Sequence, residues 1–316
     1  MRIHLIRVTR ATRFTAVTRV GIVPRLVAAT VATLAIVALV SRSVATRQRS
    51  PDVNSQRGRA VYQAECQRCH GEAGRGDGPD ARAAGFYPRD LSRGAFQCRC
   101  TPPDAPPTDA DLMRTITTGL PGTPMPAFAR LSESDRAAVL AHVKLLSKLL
   151  TDASRALCVS PPTPPARSAA LVGDGRQLYR LLHCATCHGA AGRGDGPAAP
   201  ALRDDAGHPA KPHDFVAISD FKCGNRDLDL FRTIQTGMSG TRMPSFVPAL
   251  VFPSDGFGPT ALETLGTRAA EASAYLGRQP TAVQLAAMTG PQTRDLLNRR
   301  TWALVYYLRS LFGPPR

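Results

Sequence analysis

The sequence predicts a mainly α chain in which two small helical domains follow one another, and three observations carry that expectation. The first is an internal duplication: "RAVYQAECQRCHG" (59–71) matches "RQLYRLLHCATCHG" (176–189) with one residue of slack, and a glycine precedes each stretch, Gly58 and Gly175. Further on, "LMRTITTGLPGTPMPAF" (112–128) answers "LFRTIQTGMSGTRMPSF" (230–246). The second is the spacing of apolar residues near these landmarks, which follows a helical period. The third is length, since 316 residues are enough for two domains of ordinary size.

The chain opens with a basic leader. Residues 1–50 carry nine arginines, from Arg2 to Arg49, and no acidic residue. This leader runs into fifteen apolar residues, Leu26 to Val40. A charged start followed by an apolar run is the pattern of an export signal, with Ser43 and Ala45 as a small-x-small cleavage site. The competing reading is an uncleaved anchor beginning near Ile22 and interrupted by Pro24 and Arg25, in a run shorter than the ~20 residues that span a bilayer. Residues 1–45 are therefore expected to be an export signal or a membrane anchor, and the remainder an exported protein. The net charge of +16 invites a nucleic-acid reading, but the leader supplies much of it, leaving 31 basic against 24 acidic residues, a net of +7. That moderate excess favours encounter with an acidic protein and does not single out nucleic acid.

The first domain is expected over residues 50–150. Gly58 and Tyr62 lie one turn apart on its opening helix, and a glycine on a helix face lets a second helix cross closely. That second helix is expected from Ser132 to Leu150, with Ser132 and Asp135 as a capping-box-like start and Val139, Val143, Leu146 and Leu150 on one face. A proline-rich linker, 151–170, contains "CVSPPTPPAR" and reads as extended and semi-rigid. The second domain, 171–316, repeats the glycine–tyrosine pair at Gly175 and Tyr179. It differs by an insertion at about 247–298, with helices expected near 261–276 and 281–288, before a final helix over 299–312.

Each repeat carries a C-x-x-C-H stretch, "CQRCH" and "CATCH". Two cysteines three positions apart reach the two vinyl groups of one porphyrin, and the next residue is carried beneath the iron as its proximal ligand. Cys66, Cys69 and His70 would hold one haem, and Cys184, Cys187 and His188 the other. A redox disulfide is a poorer reading, because a histidine follows each pair and no βαβ pattern surrounds it. A shared zinc is poorer still, since the pairs lie far apart with the proline linker between them. For the sixth iron ligand the repeat discriminates between methionines. Met113 aligns with Phe231, and Met238 with Leu120, whereas Met125 and Met243 are methionine in both copies at the same distance from the histidine. Each precedes a proline, which holds an irregular loop firmly. A thioether favours ferrous iron, as suits an electron carrier.

On these residues the chain resembles a tandem dihaem class I cytochrome c, from about Gly58 to Leu311 apart from the linker and insertion. The resemblance implies two cytochrome c-like domains, each wrapped round one covalent haem c, with His–Met coordination and electron transfer between redox partners in the periplasm. It implies a free or anchored carrier, or the cytochrome subunit of a membrane respiratory complex. The alternative is a dihaem enzyme, a peroxidase or a sulfur-compound dehydrogenase, with one open-site haem. Arg89, Arg114, Lys222 and Arg232 are candidates to neutralise haem propionates. His208 and His213 are rival ligands to Met243, weakened because the first copy has Arg89 where the second has His213. "GRGDGP" after each histidine follows no strand, so it reads as a tight turn, with Asp77 and Asp195 bonding local amides. Cys98, Cys100, Cys158 and Cys223 remain, allowing three disulfide connectivities; a Cys98–Cys223 bond would tie the domains together.

Overall fold

A computed structural model describes residues 50–147, 157–217, 220–258, 262–263 and 265–312. The expected export or anchor segment (1–45), Leu150 and residues 151–156 of the linker lie outside the described residues. Residues Asn54–Arg316 form one compact unit that contains both repeats. Among the described residues this unit is helical and has no strand; its β pairing is one isolated bridge between Arg203 and Pro209. No helix among the described residues is long and apolar enough to cross a membrane.

In the first repeat, α1 (Ser50–Glu65) leads into the short α2 (Gln67–His70), and α3 (Pro79–Ala84), α4 (Asp109–Thr118) and α5 (Glu133–Leu146) follow. The helix α1 crosses α5 at Gly58, where a Cβ would lie 2.2 Å from the Ala138 carbonyl oxygen. Only a glycine permits two backbones so close. The second repeat uses the same device. Its α6 (Ala169–Leu181) precedes α7 (Cys184–His188) and crosses the last helix at Gly175, where a Cβ would lie 1.9 Å from the Ala303 oxygen. The tyrosine one turn later packs on the crossing helix in both copies: Tyr62 and His142 rings lie 5.0 Å apart, Tyr179 and Tyr307 rings 5.3 Å. Next comes α8 (Asp227–Thr236), the counterpart of α4, then the short α9 (Val247–Leu250).

Helix ends depart from the sequence expectations in informative ways. The helix α5 covers Glu133–Leu146 with Ser147 as its C-cap, and the expected continuation to Leu150 lies outside the described residues. In the inserted segment α10 covers Ala269–Leu276, preceded by a 3₁₀ turn at Gly266–Arg268, and α11 covers Ala282–Ala286. The last helix, α12, runs Gly290–Leu311 instead of starting at residue 299. Thr289 caps it, reciprocally bonded with Gln292, and a proline sits in its first turn. These are start signals that the aromatic pattern further on overshadows.

The inserted segment is stitched to α12 through Arg300. This residue is 2% exposed. Its guanidinium donates to the Leu250 carbonyl at 2.7 Å, the Phe252 carbonyl at 3.1 Å and Gln279 Oε1 at 3.0 Å, and lies 4.0 Å from the Phe252 ring centroid. Burial lowers the pKa of this guanidinium, and the hydrogen bonds to neutral acceptors offset part of the desolvation cost. The second repeat thereby acquires a large core centred on Trp302, Phe231, Leu178 and Leu250, whereas the first relies on a small cluster of Tyr62, Leu91, Val139 and Val143.

The two repeats meet along a seam of equivalent parts. Cys98 is bonded to Cys223, its counterpart, and Cys100 is bonded to Cys158. The seam is also crossed by Arg114, which pairs with Asp229 at 3.3 Å, and by the Tyr87 ring, stacked 4.0 Å from His208.

Candidate haem sites

The turn after each histidine is built from hydrogen bonds that repeat between the copies. Gly76 N–H donates to the His70 carbonyl and Gly194 N–H to the His188 carbonyl, both at 2.8 Å. Gly78 and Gly196 N–H groups donate to the Cys69 and Cys187 carbonyls at 3.1 and 3.2 Å. Tyr62 and Tyr179 hydroxyls donate to the carbonyls of Gly71 and Gly189, each at 2.8 Å. These glycines adopt φ of 77° and 80°, and a Cβ on either would strike the carboxylate of Asp77 or Asp195 within 2 Å. The glycine-rich stretch is thus a turn that folds back on the C-x-x-C-H backbone, with each aspartate set against the glycine that follows the histidine.

Both imidazoles are oriented in the same way. His70 Nδ1 donates to the Arg89 carbonyl at 3.1 Å, and His188 Nδ1 donates to the His213 carbonyl at 3.2 Å. Engaging Nδ1 leaves Nε2 as the nitrogen available to a metal. Burial lowers the pKa of both histidines, partly offset by those carbonyl bonds, which favours the neutral imidazole that coordinates.

The four motif cysteines are free of disulfides. Burial pushes the thiols of Cys66 and Cys184 up to about 12.

The methionine loops repeat as closely. Leu120 N–H donates to the Met125 carbonyl at 3.1 Å and Met238 N–H to the Met243 carbonyl at 2.9 Å. Each methionine N–H donates to the hydroxyl two residues earlier, Thr123 at 3.3 Å and Thr241 at 3.2 Å. Each loop starts at a glycine with positive φ, Gly119 and Gly237, whose missing Cβ would overlap the Met-Pro backbone. It ends with Phe128 or Phe246 N–H on the carbonyl of Ile116 or Ile234.

The candidate cations occupy different places. Arg114 is engaged by Asp229 and, at 3.8 Å, by Asp111. Arg89 Nη1 donates to the Gly240 carbonyl. Lys222 lies beside the Cys98–Cys223 bond, and its pKa is lowered by burial and then by the Arg89 charge. Arg232 Nε is buried without a hydrogen-bond partner among the described residues, the kind of orphan donor that a haem propionate would satisfy. Of the rival histidines, His208 stacks on Tyr87 and lies 3.5 Å from Asp204, and the His213 ring stacks on Phe221. Disulfide-free C-x-x-C cysteines and Nδ1-anchored imidazoles fit a covalent haem in each repeat, and the unpartnered Arg232 Nε suits a propionate in the second. The roles of the Arg89 carbonyl and of the Tyr62 and Tyr179 hydroxyls were not anticipated, although the repeated tyrosine was their visible signal.

Comparison with known proteins follows the same division. The family described as cytochrome c oxidase, cbb3-type, subunit III matches residues 53–143, and the family described as cytochrome c matches residues 172–312. No curated protein matches the chain. Among solved structures, a chain of a reducing HAO-like protein complex from Kuenenia stuttgartiensis is 31% identical, with a TM-score of 0.63. The match covers 81% of this chain and 96% of that one. With the same chemistry built twice into one helical unit, the chain belongs to the c-type cytochromes, as an electron-transfer protein with two tandem cytochrome c domains and two covalently bound haem c groups.

Proposed function

We propose that this cytochrome is an exported two-haem relay, carrying electrons between redox partners in the periplasm as a free or anchored carrier or as the cytochrome subunit of a larger redox assembly. Cys66 and Cys69 attach the first haem and Cys184 and Cys187 the second. His70 with Met125, and His188 with Met243, would hold the iron of each haem. The haem supplies a one-electron ferric–ferrous couple, and the chain orients the ligands, keeps the histidines neutral and excludes water.

The observation that carries this reading is the matched methionine loop. The same carbonyl, threonine and phenylalanine hydrogen bonds hold Met125 and Met243, which supports a methionine ligand in each repeat. The basic excess outside the leader suits partners with acidic docking surfaces, and the likeness to a chain from a protein complex supports an assembly role. Export is supported by the basic-apolar leader.

The test is an absorption spectrum of the oxidised and reduced protein with haem counted per chain. Two haems and a far-red methionine–iron band, halved by Met125→Ala and by Met243→Ala separately, are expected. A high-spin iron that binds carbon monoxide or turns over peroxide would overturn the relay and favour a dihaem enzyme. Mass analysis of the mature amino terminus distinguishes cleavage after Ala45 from a retained anchor.

A further inference from the structure

Arg89 touches both haem sites. Its carbonyl oxygen accepts the His70 Nδ1–H bond of the first site, while its guanidinium donates at 3.3 Å to the Gly240 carbonyl, in the loop that leads to Met243 of the second. The Gly240 carbonyl also accepts the Asp205 N–H at 3.3 Å. A Cβ at Gly240 would lie 2.3 Å from Arg89 Nη1 and 3.6 Å from the Ala95 side chain. The arrangement has no mirror image. The residue holding His188 is His213, and the counterpart of Gly240 in the first loop is Gly122, where a Cβ would meet nothing within 4 Å. The second methionine loop is therefore clasped by the first repeat, and the first loop is open.

We propose that Arg89 is a positioning residue linking the two sites: its backbone holds the histidine of the first, and its charged side chain holds the methionine loop of the second closed. The proposal rests on the reading of Met125 and Met243 as axial ligands. Opening the second loop must break a hydrogen bond from a cation, a stronger bond than a neutral one, whereas opening the first breaks no such bond. The first site accordingly yields its methionine to an external ligand more readily than the second.

The test uses the ferric dihaem protein titrated with imidazole, in which an iron–sulfur bond is exchanged for an iron–nitrogen bond with no change of oxidation state. The far-red band reports the exchange, and Met125→Ala and Met243→Ala assign it to each site. Arg89→Gln should raise the imidazole affinity of the second site about tenfold and leave the first unchanged. Arg89→Lys, which keeps a charged donor, should fall between Arg89→Gln and the parent. A second comparison does not disturb the arginine. Gly122 and Gly240 have φ of 72° and 73°, so an alanine at either carries the same backbone cost, but only Gly240→Ala meets Arg89. Gly240→Ala should open its loop more than Gly122→Ala opens its own. An unchanged second site in Arg89→Gln, or equal shifts at both sites, would overturn the linkage. If Met243→Ala instead leaves the far-red band intact, the failure lies in the ligand reading.

Discussion

The two repeats build the same site on different foundations. Around each histidine and methionine the hydrogen bonds coincide within a few tenths of an ångström, yet the supporting cores are unlike. In the first repeat α5 has 14 residues and packs a small apolar cluster; in the second α12 has 22 residues and organises a core of aromatic side chains with the inserted segment around it. Buried apolar area is the main source of stability, so the second repeat has its own reserve. The first depends more on what is attached to it: its haem, the Cys100–Cys158 bond, and the Cys98–Cys223 bond to its neighbour. Identical chemistry thus needs identical local geometry and tolerates very different cores behind it.

The sharpest way to break the comparison is to remove one haem at a time. Cys66→Ala with Cys69→Ala, and Cys184→Ala with Cys187→Ala, should each leave one haem per chain by mass spectrometry. Limited proteolysis should then digest the first repeat when its haem is absent, but spare α6 and α12 when the second is absent. Equal sensitivity would mean that the larger core confers no independence.

Core truncation should come next in size. Trp302→Ala removes a fully buried ring packed on Phe231 and is expected to cost about 4 kcal/mol, measured by denaturant unfolding. Leu140→Ala, in the smaller first core, should cost nearer ~2 kcal/mol because its surroundings can relax.

The helix crossings give a finer scale. Gly58→Ala and Gly175→Ala should each destabilise by about 1–3 kcal/mol through overpacking. The second should cost more, since its Cβ would also lie 2.7 Å from Tyr307 Cβ, against 3.3 Å from His142 Cβ in the first. Reversal of that order would show that α12 shifts more easily than α5.

The smallest effect is a dependence on pH at the seam. Burial alone would raise the pKa of Asp229, but hydrogen bonds from Arg226 and the charges of Arg226 and Arg114 overcome this and hold it below the ordinary value. A carboxylate with a lowered folded pKa stabilises fully above its unfolded value, about 4, and that contribution is lost as pH falls through the folded value. Acid unfolding of the parent protein should accordingly steepen below about pH 4, and Asp229→Asn should flatten that limb. An unaltered acid limb in the variant would assign it to other carboxylates.

The duplication was legible because covalent chemistry fixes spacing. Residues that attach and ligate one porphyrin, as proposed for Cys66, Cys69 and His70, cannot be moved apart, so the haem count could be read from letters alone. Gly58 and Gly175 were legible as helix crossings for a similarly local reason. Helix ends were less so. The start of α12 lies in Thr289, Pro291 and Gln292, whose capping signals are short and were outweighed by the aromatic run from Trp302. The inserted segment offered no pattern for Arg300, because its acceptors are carbonyls about fifty residues away, at Leu250 and Phe252. Carbonyl acceptors carry no side-chain signature.

By itself the sequence determined that this chain holds two haems in two helical repeats, because C-x-x-C-H, the tyrosine one turn past the glycine, and the methionine loop are local constraints repeated at nearly fixed intervals. Only the tertiary structure decided what happens between the repeats. The four remaining cysteines allowed three pairings, and the structure adopts the one that joins equivalent positions. Arg114 faces Asp229, 115 residues away, and Arg89 faces Gly240, 151 residues away. A flexible cation can satisfy any acceptor within reach, so its partner is chosen by how the two helical units dock, a property of packed surfaces that no local spacing records.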